Sequence, residues 1–397
     1  MNFKYNKKEM INNVILIVFL MFCINVTYSI FRFKFYTWLP LVIDFILIFI
    51  YLCRYEKLKL RRIYYEMVRE FFLPLIIPSI FAAATAIFIY HNPRYTMSSF
   101  KYVLWVYGAY LFGYFLVCKF RLKAFYLFLV AGSISYFTVI CKAIIKHEYG
   151  LLEVHEMTYI YGMLFIFFLL YKDISKNKKR LACIICLIGM ILGDKRALWL
   201  ALLVALVTYY LFFIILNNKK RGLKFVCLIT LILTFAWVWV IKSGYFELIC
   251  LKYGINDMSR LKMWNYFNKD YSFSPLYFGR GLTYTDVVMD QVHDQLHITT
   301  AIPIHNCILK MYIGWGFLPF AYYIFYFVHV RVAKLLKTGN KNNAWLFLSV
   351  TLLFLIINFL GDTLFNIGIS MLYAMIWTFL KNPDNKPNTM ELERNRE

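Results

Sequence analysis

The chain has 397 residues, of which 61% are hydrophobic, 20% aromatic and only 16% charged. That balance excludes an ordinary soluble domain and fits a polytopic membrane protein, which the bilayer organises as one body. The net charge of +23 does not mark a nucleic-acid binder, because the Lys and Arg residues sit in short runs between apolar spans, as the positive-inside rule describes.

The first residues, MNFKYNKKEM, are polar and basic, and no cleavable signal peptide is visible; the apolar run that follows is long enough to remain as a first span. Reading roughly 17 to 22 apolar residues as one span predicts helices near 12–31, 36–53, 72–90, 102–118, 124–145, 158–171, 178–193, 197–216, 225–243, 305–330, 345–360 and 364–380. The expected fold class is therefore all-α. It is a polytopic transmembrane bundle of about 12 helices, one integral membrane domain over 1–397, with one long extracytoplasmic loop at 244–304 that contains short helices. Asp44 falls inside a span, where a charge is costly, and reads as paired within the bundle. The nine cysteines are scattered. Cys183 and Cys186 form a CxxC inside an apolar helix, which reads as packing rather than redox or zinc chemistry.

Most of the 44 Lys and Arg fall in the N-terminus, RYEKLKLRRIYYEMVRE, KFRLK, KDISKNKKR, NNKKRGLK, RVAKLLKTGNK and the C-terminus. This puts both termini inside and the 244–304 loop outside. The stretch from Leu181 to Leu216 shows the reasoning. As one helix it would be about 54 Å long at about 1.5 Å per residue, against a hydrocarbon core of about 30 Å. Both flanks, NKKR and NNKKR, are basic, so the chain must cross and return. Its only polar break is Gly193–Asp194–Lys195–Arg196, and a tight helical hairpin is expected to turn there, on the outer surface.

The 244–304 loop is the one long polar interruption, and a loop of that length usually has a function. Within it DMSRLKMWNYF reads as a short helix with Asp257 as N-cap. Leu261, Trp264 and Phe267 share one face, suited to the bundle or the lipid interface. Pro275 and the Gly279–Arg280–Gly281 turn end that segment. Pro303 then leads into a span that opens with His305 and Asn306.

Three patterns resemble the bacterial O-antigen polymerase and ligase family, over about residues 180 to 330. An arginine follows a short polar break between two helices (Gly193, Asp194, Lys195, Arg196). A serine and arginine precede a tryptophan and then a Gly-x-Gly (Ser259, Arg260, Trp264, Gly279, Gly281). A His-Asn pair opens a helix that runs to a glycine pair (His305, Asn306, Gly314, Gly316). The family more often has a small hydroxyl residue where this chain has Lys195.

The resemblance implies a polyprenyl-diphosphate-linked oligosaccharide donor in contact with membrane lipids. It also implies a chain-length regulator and a flippase as pathway partners. Attack at the anomeric carbon expels a diphosphate, so the site needs cations; arginine offers a planar fork of donors and stays protonated. Arg196 and Arg260 are the candidates, with Lys195 as further help. His305, with an ordinary pKa of about 6.5, suits transfer of the acceptor's proton. Trp264, Gly279, Arg280, Gly281 and Asn306 are the candidate substrate-binding residues, the glycine turn because backbone amides there can approach phosphate or sugar. No cofactor is expected. His293 and His297 are at i and i+4 with Asp290 and Asp294 nearby, a weak pattern for a divalent ion.

Read singly, each residue has a plainer account. Arg196 fits a hairpin cap or a headgroup contact, Arg260 a solvated helix face, His305 an interfacial histidine. Asp362, in the turn Gly361–Asp362–Thr363, could line the same cavity. His147, Glu148, Glu153, His155 and Glu156 read as a solvated loop. In matched order on one face the candidates point to a polymerase of lipid-linked repeat units, with a ligase of the same fold as the near alternative. A transporter is the alternative from another class; it would predict ionisable residues in mid-span and repeated halves.

Overall fold

The computed structural model describes residues 7–25, 65–92, 94–147, 157–214, 220–254, 260–297, 304–337 and 341–381. The span expected at 36–53, with Asp44, lies outside them, as do Asp257, Ser259, Pro303 and the acidic residues of 148–156.

The described residues are helical, with no strand among them. Four helices are long and apolar enough to cross a membrane: Tyr65–Phe88 (α2), Tyr102–Phe120 within Arg94–Phe120 (α3), Leu122–Lys146 (α4) and Arg221–Lys242 within Lys220–Lys242 (α8). Their length follows from runs in which the charges are confined to the ends. Lys7–Asn25 (α1) packs on α4. Met157–Leu170 (α5) is shorter and almost wholly buried. A helix apolar on every face belongs in the interior of a bundle, and α5 is enclosed by its neighbours Lys176–Gly193 (α6), Arg196–Ile214 (α7), Lys341–Ile357 (α14) and Ile367–Lys381 (α15). Cys186 of the CxxC is buried within that packing.

The loop between spans carries three short helices, Tyr245–Tyr253 (α9), Arg260–Phe267 (α10) and Tyr284–Val292 (α11). Of the expected loop face, Trp264 and Phe267 are fully buried, so it lies along the bundle rather than in lipid.

The span expected as one helix over 305–330 is broken. Cys307–Trp315 (α12) stops at Gly316, whose φ of 84° is in the left-handed region, and the chain resumes as α13 over 317–337, with a π-helical turn at Tyr326–Val330. The physical reason is a backbone contact. Gly316 and Gly314 meet the Tyr277–Leu282 segment so closely that a Cβ on Gly279, itself at φ 80°, would lie 2.5 Å from the Gly314 oxygen and the Gly316 nitrogen. Only glycine accommodates both the positive φ and the approach.

The core is aromatic. Phe71, Tyr110 and Trp377 bring α2, α3 and α15 together, with ring centroids 4.7 Å apart for Phe71–Tyr110 and 5.2 Å for Phe71–Trp377. Outward-facing Ile80, Phe81, Phe137, Ile144, Leu203 and Leu233 are exposed on the bundle's surface, as lipid-facing positions require.

Candidate functional site

The hairpin turns where the charge pattern requires. α6 ends at Gly193, Asp194 takes a left-handed φ of 38°, and α7 begins at Arg196. Gly193 lies against Thr158 at the start of α5, where any Cβ would overlap the threonine side chain. This contact docks the turn on α5 and sets the Lys195 ammonium over the Tyr159 ring, 4.3 Å from its centroid. Arg196 is exposed at the first position of α7 and makes no ion pair with a described residue.

Arg260 is the first residue of α10. That helix is fixed by Trp264, which stacks near Trp237 and Phe246 (6.0 and 5.4 Å between ring centroids) and donates its indole N–H to the Ile304 carbonyl at 2.7 Å. Ile304 directly precedes His305, so one buried hydrogen bond sets the arginine helix against the histidine. Trp264 thus acts through the backbone, in the interior of the protein.

His305 has φ 48°, a costly conformation for a residue with a Cβ. The surroundings hold it there. The Asn306 side-chain oxygen accepts from the Leu309 amide at 2.9 Å, capping α12, while the Cys307 amide donates to the Gly361 carbonyl at 2.9 Å. The 358–366 turn is in turn organised by the Asn358 oxygen, which accepts from Thr363 and Leu364 amides at 3.1 and 3.0 Å. Asn306 is therefore a helix cap, and its side-chain nitrogen has no hydrogen-bond partner among the described residues.

Burial pushes the His305 pKa below its ordinary 6.5; the neighbouring Arg260 and, less strongly, Lys195 act in the same direction, and Asp362 acts against them. The imidazole is thus neutral at pH 7 and able to accept a proton. Three segments far apart in sequence converge on it: the hairpin through Lys195, the loop helix through Arg260, and the 358–366 turn through Asp362. A neutral base within the field of two cations can take a proton from a hydroxyl while a departing anion is held.

The glycine turn is engaged elsewhere. The Arg280 and Gly281 amides donate to the Ile313 and Gly314 carbonyls, each at 2.9 Å. The Arg280 guanidinium donates to the Asp270 carbonyl and lies over the Tyr90 and Tyr284 rings, 4.6 and 5.3 Å from their centroids. These contacts lock the loop onto the broken helix. Among the described residues, no three His, Cys, Asp or Glu side chains form a group that could hold a metal ion; His293 lies 3.4 Å from Asp294.

One residue was not anticipated. Lys310, on α12, is 1% exposed, 2.7 Å from Asp286 of α11 and 3.1 Å from Asp362, with the Tyr102 and Phe365 rings 4.8 and 5.0 Å away. Its only trace in the sequence is a lone lysine inside an apolar run, one turn past the His-Asn pair.

No curated protein matches the chain. Residues 181–324 match the family model described as O-antigen ligase. The matched stretch includes the hairpin, Arg260, Trp264, the glycine turn, His305 and Lys310, and ends before Asp362. On that match, and on the assembly of its residues around His305, residues 181–324 of this membrane protein are similar to the O-antigen ligase and polymerase family.

Proposed function

We propose that the protein polymerises lipid-linked oligosaccharide repeat units into a surface polysaccharide: O-antigen, capsule or exopolysaccharide. The donor is the growing chain on its polyprenyl diphosphate. The hydroxyl of an incoming unit attacks the anomeric carbon from the face opposite the diphosphate, the C–O bond to the diphosphate breaks, and the configuration inverts once. His305 takes the hydroxyl proton, and Arg260 and Lys195, with Arg196 beside them, hold the diphosphate as its charge develops. The reaction lies on the outer face of the cytoplasmic membrane, with both termini cytoplasmic and a flippase and chain-length regulator as pathway partners.

The observation that carries this reading is the convergence of Arg260 and Lys195 on a neutral His305, within a stretch that matches the family. An apolar groove of 520 Å³ also supports it. It is lined by Leu231, Ile232, Phe235, Ala236 and Trp239 of α8 and by Phe273 of the loop. Phe235 lies 6.3 Å from Tyr312, about two helical turns from His305. Such a groove suits an isoprenoid tail whose head reaches the cations.

The test is the surface glycan profile of a deletion strain with its lipid-linked intermediates by mass spectrometry. One repeat unit on carrier lipid and no ladder is the expected result. The second reading, a ligase that moves finished glycan to another acceptor, is favoured by the description of the matching family model; it predicts a full ladder retained on carrier lipid. An unchanged glycan in a strain that makes one would overturn both readings.

A further inference from the structure

Among the described residues Lys310 is the most deeply buried cation at this end of the molecule, and the groups around it come from three places in the chain. Asp286 lies on loop helix α11, Asp362 on the 358–366 turn, Tyr102 on α3 and Phe365 at the end of the turn. Lys310 itself is one helical turn beyond Asn306, on the helix whose first amides donate to Gly361 and Asn358 at 2.9 and 3.3 Å. An ionisable side chain this deep among apolar spans is costly unless paired, and it persists where it has a role. Asp362 is also the one carboxylate among the described residues that acts on His305.

We infer that Lys310 is a positioning residue: its buried ammonium ties Asp286 of the loop helix and Asp362 of the 358–366 turn to the helix that begins at His305, and so fixes the loop and the Asp362 carboxylate in place around the imidazole. The inference rests on the proposed reaction for its catalytic meaning, but the tie itself is independent of any substrate. The balance of charge matters here. One cation serves two carboxylates, so Asp286 competes with Asp362 for it. Among the described residues, the remaining charged groups that act on His305 are Arg260 and Lys195. If Asp286 is neutralised, Lys310 pairs with Asp362 alone, and less of the Asp362 charge is left to act on His305.

The experiment uses the full-length protein purified in detergent, with Lys310→Met, Lys310→Arg and Asp286→Asn. Amide hydrogen exchange by mass spectrometry is followed over 284–292 and 358–366, with 94–120 and 367–381 as internal controls. Lys310→Met should exchange about tenfold faster in the first two segments and no faster in the controls. Lys310→Arg should return to near wild type. Turnover of lipid-linked oligosaccharide should fall about tenfold or more in kcat/KM for Lys310→Met through misplacement, and Asp286→Asn should move the acid limb of kcat/KM to lower pH.

Wild-type exchange in both Lys310→Met and Asp286→Asn would overturn the inference. So would local loosening with an unmoved acid limb in Asp286→Asn, because it would reduce Lys310 to a structural staple. If Lys310→Met fails to fold, Asp286→Asn decides alone by the same two readouts. Absence of turnover in the wild type would count against the proposed reaction, while the exchange data would still decide the tie.

Discussion

At the end of the bundle away from His305, the buried Glu70 carboxylate is held by Lys334, by Arg69 at 2.7 Å and by the Tyr326 hydroxyl at 3.1 Å, while Arg331 donates to the Glu70 carbonyl at 3.1 and 2.8 Å. At the His305 end Lys310 is the one cation among the described residues that pairs with Asp286 and Asp362. The first cluster gathers three cations about one glutamate; the second sets one cation between two carboxylates. Both join segments distant in the chain, and each centres on one fully buried charge, Glu70 or Lys310. The first saturates its carboxylate and sits where π-helical turns at Val68–Phe72 and Tyr326–Val330 widen α2 and α13 to admit the side chains. The second leaves negative charge uncompensated beside Arg260, Lys195 and a histidine. A saturated cluster stiffens the bundle, whereas an unsaturated one can still respond to a proton or an anion.

The sharpest way to break the comparison is to remove a group from each end. His305→Ala or Arg260→Ala should lower turnover by about 10²- to 10⁴-fold, abolishing long chains, with protein level and thermal midpoint in detergent unchanged. A normal ladder from both variants would remove them from the reaction. Glu70→Ala should do the reverse. Leaving the partly exposed Lys334 and Arg69 without their carboxylate should cost about 3 kcal/mol in lost charge-assisted hydrogen bonds, read as a lowered midpoint and reduced membrane level. Whatever protein survives should keep its turnover per molecule. A stable Glu70→Ala with lost activity would mean that the far cluster, too, serves the chemistry.

Gly279→Ala tests a smaller effect, in the lock between loop and broken helix. The new methyl would need φ 80° and would lie 2.5 Å from backbone of Gly314 and Gly316. Strain of about 1–3 kcal/mol is expected, with faster exchange over 277–282 and 313–317 as the readout. Unchanged exchange would mean that the glycine turn is free to move and available to a ligand.

The sequence makes the four long spans and the hairpin legible because their causes are local. Basic flanks at NKKR and NNKKR with one polar break leave no other path, and the turn is found at Asp194–Lys195. The Arg260 helix is legible from the spacing of Trp264 and Phe267. The Lys310 pairing is not, since Asp286 and Asp362 lie 24 and 52 residues from it and nothing in the local pattern selects them. Nor are the distant partners of Glu70, Tyr326, Arg331 and Lys334, each more than 250 residues away along the chain. The break at Gly316 is visible as a glycine pair, but its reason, a second glycine turn pressed against it, is tertiary. Trp264 and Asn306 match the family pattern, yet in the structure both position the backbone, Trp264 through its indole N–H on Ile304 and Asn306 through its cap on Leu309.

The smallest expected effect is the most specific to this chain. Lys195 stands where the family more often has a small hydroxyl residue, and its charge helps to hold the His305 pKa below 6.5 after burial and Arg260. A general base must be deprotonated, so kcat/KM, which reports the free enzyme, should be level at neutral pH and fall only on the acid side of 6.5. The same depressed pKa favours the folded state above that value, and this contribution is lost as pH falls through the folded-state pKa. Lys195→Met removes one of the influences that depress the pKa, so the acid limb should move up toward 6.5, and KM for the lipid-linked donor should rise through the lost contact with diphosphate. A raised KM with an unmoved limb would make Lys195 a diphosphate ligand too distant to act on the imidazole. A moved limb with an unchanged KM would make it a regulator of His305 alone, and the diphosphate would then rest on Arg260 and Arg196.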